Sequence, residues 1–397
     1  MNILGLIVEY NPFHNGHLYH IEQARNKSNA DVVITIMSGH FLQRGEPAIV
    51  DKFTRSRMAV MNGSDLVIEL PTIYAIQHRD LFCYSAVSIL NQLGVNTIIF
   101  GSETGEIEPF NTFIANETDY KKEIDEKVKH YLKQGESYPR AYSKTLADLK
   151  LSSIDDHLPN NSLGIGYVRA VKKINSNITI DTIKRKQAAY HQKVLSTPIA
   201  SATSIRKSIA DNHFSDHILK TMPSTVSALM QQYKETHGSF ANFNDYYPFI
   251  QYKLLTTPSE ALKAIHGMTE GIEHRLIDAA KKATSIDFFL NMVTTKRYTT
   301  TRIKRLLIHL LLNITTETID QAILTIDDLE AVRCLAQTPC GEEYLKIVKQ
   351  TKKLSVLSKI KKDMPEYLNV DLRASAVYYL FDVNRQKNEL KPPFRYR

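Results

Sequence analysis

"ILGLIVEYNPFHNGHLYH", residues 3–20, decides how the rest of the chain is read. Its first eight residues form an apolar run without polar alternation, which suits a strand covered on both faces. A turn with Pro12 and Gly16 follows, and then "GHLYHIEQARNK" (16–27), whose apolar spacing is helical. Strand, short loop and helix make the first half of a βαβ unit. The loop carries His14 and His17 in an H-x-G-H arrangement, with His20 three residues on.

The same alternation recurs downstream. "DVVITIMS" (31–38), "DLVIELP" (65–71), "TIIFGSE" (97–103) and "ITIDTIKR" (178–185) read as buried strands. "TRSRMAVMNGS" (54–64) and "FCYSAVSILNQL" (82–93) read as helices between them. The pattern predicts an α/β fold with a Rossmann-like parallel sheet. "KKEIDEKVKHYLKQG" (121–135) reads as an exposed helix stopped by Gly135, and a further helix begins near Pro139. From about residue 213 the segments are helical in period, among them "RIKRLLIHLLLNI", "TIDDLEAVRCLAQ" and "YLKIVKQTKKLSVLSKI". Residues 1–212 are therefore expected to form the α/β domain, and 213–397 an α-helical one.

Composition narrows the partners. Residues 1–280 hold 29 Lys+Arg against 29 Asp+Glu, whereas residues 281–397 hold 21 against 13. The net charge of +8 thus sits wholly in the rear, where it suits a polyanion such as RNA. Cys83, Cys334 and Cys340 have no C-x-x-C spacing, which suggests a reducing compartment rather than a disulfide framework. With no basic leader before the first apolar run and no apolar run of membrane-spanning length, a soluble cytoplasmic protein without a membrane partner is expected.

In an open parallel sheet, ligands bind where a strand's carboxyl end hands over to a helix. Gly16 permits close backbone approach there, and the helix start favours phosphate. His14 and His17 can face one side of the first turn and donate hydrogen bonds to a phosphoryl group as charge builds on it. A metal site using His20, or capping and core histidines, are the competing readings of the stretch taken alone. No P-loop and no G-x-G-x-x-G follows the first strand, so a bound nucleotide has to use this motif. "SATSIRKSI" (201–209) is a second phosphate-binding candidate, with Ser201, Thr203, Ser204, Arg206 and Lys207 on the opening turns of a helix.

The pairing of these two segments resembles the nucleotidyltransferase superfamily. Other stretches narrow the resemblance: "QRGEPAIVDKFTRSRMAVMNGSDLVIELP" (43–71), "FGSE" (100–103), "PNNSLGIGYVRA" (159–170) and "TTKRYTTTRIKRLL" (294–307). Together with "VEYNPFHNGH" they are similar to the bacterial tRNA(Met) cytidine acetate ligase family. The resemblance implies activation of acetate by ATP as acetyl-adenylate. The acetyl group then passes to N4 of the wobble cytidine of elongator tRNA(Met), giving N4-acetylcytidine. The rival readings are a coenzyme-type adenylyltransferase acting on a small phosphorylated substrate and a non-catalytic RNA-binding protein.

The resemblance further implies that ATP is held by Ile7, Val8, Glu9, Tyr10, Asn11, Pro12, Phe13, His14, Asn15, Gly16, His17, Leu18, Tyr19 and His20. It adds Gly101, an asparagine of "PNN" (Asn161 or Asn160) and Arg185. Ser201 and Ser204 join them from the downstream segment. His14, His17 and Arg206 are the expected catalytic group, sharing phosphate charge with Mg²⁺, and no protein metal site is assigned. Gln43, Arg44 and Lys52 are expected to line the site and orient acetate or cytidine. Lys296, Arg297, Tyr298, Arg302, Lys304 and Arg305 are the expected tRNA contacts, and DNA is not an expected partner. His40 and His78-Arg79-Asp80 depart from the family habit.

Overall fold

The computed structural model describes residues 1–174, 177–185, 200–211, 214–359 and 364–397. Five parallel strands form the expected sheet: β1 (Ile3–Val8), β2 (Val32–Ser38), β3 (Leu66–Leu70), β4 (Thr97–Ser102) and β5 (Thr179–Lys184). Their order is β5-β4-β1-β2-β3, every neighbouring pair parallel. The chain steps outward from β1 to β3 and then returns to place β4 on the other side of β1. The crevice beyond β1 and β4 is the topological switch point, where such sheets bind ligands.

Side chains alternate between two cores, as period-two geometry requires. Ile34, Ile36, Leu66 and Ile68 face one core, and Val33, Met37 and Val67 the other. The first core is covered by helices Arg79–Gln92 and Pro159–Ile174, the second by Asn15–Ser28, Lys52–Val60 and Ala202–Ala210. β2 and β3 are buried along their whole length.

The rear of the chain departs from the all-helical expectation. "AVRCLAQ" is strand β6 (Ala331–Gln337), antiparallel to β3. β7 (Ser355–Leu357) and β8 (Phe394–Arg395) extend the sheet beside it. Alanine, leucine and arginine give β6 a helical composition, so its intrinsic preference points the wrong way. Burial against β3 and helix Glu366–Tyr378 overrides it. The remainder of the rear is helical, and it packs on both cores: helix Ser224–His237 on the second, through Val226, Leu229 and Met230, and the later helices on the first. The Tyr74 hydroxyl donates to the Ala322 carbonyl at 2.8 Å, and the Ser88 hydroxyl to that of Ile326 at 3.0 Å. Among the described residues no helix is long and apolar enough to cross a membrane.

Candidate active site

The H-x-G-H loop leaves β1 through Tyr10, which lies in the left-handed region (φ 50°), and turns into helix Asn15–Ser28 with His14 as its N-cap. The cap is built from two histidines. His14 Nδ1 accepts the Gly16 N–H at 3.0 Å, and His17 Nδ1 accepts the His14 N–H at 3.3 Å. A ring nitrogen that accepts a backbone N–H carries no proton, so each neutral imidazole holds its proton on Nε2. Neither Nε2 bonds to another described residue, which leaves two N–H donors from rings stacked at 3.7 Å.

Burial, and then the Arg185 and Arg206 guanidinium groups, push His14 down to about 3. Burial followed by His14 holds His17 well below the usual imidazole range. Both rings are therefore neutral donors at physiological pH. Tyr10 and Phe13 pack on His17 at 4.9 and 5.6 Å between ring centres and fix its plane.

Other elements converge on this point. The Arg206 guanidinium reaches the Asn11 carbonyl at 2.9 Å, and Ser201 caps its helix by accepting the Ser204 N–H at 3.1 Å. Ser201 and Ser204 are exposed at that helix start. Arg185 lies across the end of β4, where a Cβ on Gly101 would come within 3.3 Å of its Cγ and 3.7 Å of His20 Cδ2. The Asn15 backbone N–H donates to the Thr221 carbonyl at 3.0 Å, which anchors the loop to the rear of the chain.

Several expected contacts point elsewhere. Asn161 is fully buried: its Oδ1 accepts the Glu103 N–H at 3.1 Å and its Nδ2 donates to the Asp155 carbonyl at 3.2 Å. It shapes the β4 turn and has no surface to offer a ligand, whereas Asn160 is half-exposed and its Oδ1 accepts from Arg185 at 3.0 Å. Tyr10, Asn11, Pro12 and Phe13 are likewise buried as supports, Asn11 Oδ1 accepting the Ile49 N–H at 2.9 Å. His20 is half-buried beneath Gly101, and desolvation there pushes it down to about 4. Among the described residues no cluster of three or more His, Cys, Asp or Glu is arranged to hold a metal ion.

Lys52, expected to line the site, does not reach its surface. Its ammonium is fully buried and bridges Glu69, at 2.8 and 3.0 Å, and Glu389, at 3.0 Å. Ser375 donates to the same Glu389 oxygen as Lys52, and Arg333 pairs with the other. Asp371 sits in the same core, its Oδ1 accepting the Thr72 N–H at 2.6 Å while Oδ2 has no hydrogen-bond partner among the described residues. Burial and then Glu69 raise its carboxyl from 3.8 to about 7.

A raised folded pKa means that the folded state keeps a proton which the unfolded chain releases. The stability this contributes is present at acid pH and is lost as pH rises from 3.8 through about 7. Asp371→Asn is therefore expected to stabilise the protein by about 2–3 kcal/mol more at pH 8 than at pH 5. Thermal denaturation at the two pH values measures this, and an equal shift at both would refute it.

Arg55, which no local feature of the sequence singles out, holds the loop together. It is fully buried and donates to the carbonyls of Val50 (3.1 Å), Glu9 (2.7 Å) and Ser38 (2.9 Å), and also to that of Gly39. The exits of β1 and β2 are thus clamped by one guanidinium. Gln43 joins from the 40s loop, its N–H donating to Glu9 Oε1 at 2.8 Å and its Nε2 to the Gln77 carbonyl at 2.9 Å. Arg44 is exposed beside it.

Comparison with known proteins matches this architecture throughout the chain. Residues 1–392 match the family described as HIGH Nucleotidyl Transferase. The tRNA(Met) cytidine acetate ligase of Anoxybacillus flavithermus is 44% identical, covering 91% of this chain and 90% of that protein. The protein of that name from Bacillus subtilis is 36% identical over 96% and 92%. The chain belongs to the tRNA(Met) cytidine acetate ligase family. Crystal structures of Thermotoga maritima TmcAL superpose over the full length of both chains at 29% identity. The TM-score is 0.90 for the apo form and 0.88 for the form bound with alpha-thio ATP.

The ligase-family stretch at 294–307 lies against the site loop. A Cβ on Gly45 (φ 74°) would come within 2.3 Å of the Arg305 backbone nitrogen. Lys304 is ion-paired with Glu46, so it is not a spare cation, and burial pushes the half-buried Arg305 down to about 10. Arg297 pairs with Glu270, and the Arg302 guanidinium lies 4.6 Å from the Tyr298 ring centre. Lys296 and Arg297 are exposed. Gly45→Ala is expected to lower tRNA acetylation at least ten-fold in a steady-state assay while the protein stays folded by circular dichroism. Wild-type activity would show that the contact between loop and helix is dispensable.

Proposed function

We propose that the protein activates acetate with ATP as acetyl-adenylate, releasing pyrophosphate, and transfers the acetyl group to N4 of the wobble cytidine of elongator tRNA(Met), releasing AMP. The observation that carries this reading is the histidine cap. It presents two neutral Nε2–H donors at the switch point, within the field of Arg185 and Arg206. The ATP analogue held by the Thermotoga maritima protein supports it.

Acetate is a poor acyl donor because oxide would have to leave. Attack of its carboxylate on the α-phosphorus makes a mixed anhydride from which AMP can leave instead. That step brings an anion to an anion, and fixed donors lower its barrier without reorganising. His14 and His17 donate to the phosphoryl oxygens, and Arg206 with the Ser201–Ser204 helix start holds the leaving pyrophosphate. Gly101 and Arg185 flank the nucleoside. Mg²⁺ arrives with the triphosphate as part of the substrate, which suits an ion that keeps most of its waters.

Residues 1–212 carry the adenylation chemistry in this reading, and the helical part of 213–397 receives the tRNA. Lys296, Arg297, Tyr298 and Arg302 provide charge and an aromatic face for RNA, and the cytidine turns out of the anticodon stack to reach the adenylate. Arg44 and Gln43 stand between the two.

The test is incubation with ATP, labelled acetate and unmodified elongator tRNA(Met), followed by nuclease digestion. Labelled N4-acetylcytidine is expected. Label on a small phosphorylated compound, or tRNA binding without turnover, would overturn the reading.

A further inference from the structure

Acetyl transfer needs a group to take the N4 proton, because the cytosine amine lone pair is delocalised into the ring and attack is completed only when a proton leaves. The histidines are closed to this role. On each ring Nδ1 already accepts a backbone N–H and Nε2 carries the proton, so neither has an open lone pair. Arg185 and Arg206 are cations. Glu46 is paired with Lys304, and Glu69 with Lys52. Both oxygens of Glu103 are engaged, Oε1 accepting from Asn160 Nδ2 at 2.7 Å and Oε2 from the Asn161 N–H at 2.8 Å.

Glu9 differs from all of these. It is half-buried at the first turn after β1, ahead of the histidine cap on the same loop. Oε1 is held by the Gln43 N–H at 2.8 Å, while Oε2 accepts no hydrogen bond from the described residues. The Glu9 main chain is fixed by Arg55, which donates to its carbonyl at 2.7 Å. A carboxylate with one oxygen tethered and the other open is a positioned acceptor.

Resting on the function proposed above, we propose that Glu9 is the catalytic base of the transfer step, with Oε2 receiving the N4 proton. As the N4–carbonyl carbon bond forms, the bond from that carbon to the adenylate oxygen breaks, and AMP leaves with the electron pair. The N4 proton passes to Glu9 and from there to solvent, so that cytidine and acetyl-adenylate give N4-acetylcytidine, AMP and one proton. Burial raises the Glu9 carboxyl above the ordinary carboxylate range, against the pull of Gln43, Arg206, Arg44 and Arg55. That direction brings a base closer to its working pH.

Glu9→Gln keeps an acceptor for Gln43 and removes the base. Its test supplies synthetic acetyl-adenylate with unmodified elongator tRNA(Met), so that ATP is bypassed, and follows acetate-dependent ATP–pyrophosphate exchange in parallel. Transfer from the synthetic adenylate is expected to fall about 10²- to 10⁴-fold. Exchange is expected to fall at least ten-fold less than transfer. The wild-type transfer rate should decline as pH drops, and that limb should be missing in the variant. Equal losses in both assays, or an unchanged acid limb, would overturn the assignment. Absence of acetate-dependent exchange in the wild-type protein would instead overturn the function on which it rests.

Discussion

His17→Ala is expected to lower acetate-dependent ATP–pyrophosphate exchange by about 10²- to 10³-fold, the usual cost of removing one fixed donor to developing charge. The affinity for elongator tRNA(Met) should stay within about two-fold of wild type, as measured by filter binding at one fixed salt concentration. His17 does two jobs in the loop. In the proposed mechanism its Nε2–H donates to the phosphoryl oxygens, and its Nδ1 accepts the His14 N–H. Asparagine can restore the second role with its side-chain oxygen, so His17→Asn separates the two. If His17→Asn recovers full exchange, the imidazole serves the cap alone. If His17→Ala loses tRNA binding together with exchange, the division of labour between the two halves of the chain is wrong.

Arg55→Met should have the largest effect on stability. Methionine fills much of the volume but leaves the carbonyls of Glu9, Ser38, Gly39 and Val50 buried without donors. Each buried acceptor left unpaired costs about 1–3 kcal/mol, so the total reaches at least about 4 kcal/mol. That is a large share of the 5–15 kcal/mol by which domains are typically stable. A fall of about 5 °C or more in melting temperature is expected, or failure to accumulate as folded protein. Arg55→Lys keeps the charge but lacks the fork that reaches four carbonyls, and it should recover only part of the loss. A melting temperature for Arg55→Met within 2 °C of wild type would show that the strand exits hold their shape without this clamp.

These two residues mark where sequence reading succeeds and where it stops. His17 was legible because a strand, a glycine-bearing loop and a helix lie consecutively along the chain, and local geometry alone turns them into a helix start with two histidines on it. Arg55 was not legible. It sits in "TRSRMAV" beside Arg57 with nothing local to distinguish them, yet Arg55 is fully buried and Arg57 is not. Its four acceptors come from three separate segments, and only folding brings them together.

Lys52 and Asn161 carry the same lesson in reverse. A polar loop after a strand and an asparagine at a helix start both look like ligand contacts. Glu69, Glu389 and Asp155 claim these side chains first.

By itself, the sequence determined the parallel sheet, the place of the histidine loop at the end of β1 and the basic character of the rear. Each of these follows from period, spacing or charge within short windows. Only the tertiary structure decided that Ala331–Gln337 is a strand, because its partner β3 lies more than 250 residues earlier and burial against it outweighs a helical composition. The structure also decided which polar groups are already engaged in the core. That choice depends on where each buried hydrogen bond finds its other half, and a side chain with a partner in the core has none to offer a substrate.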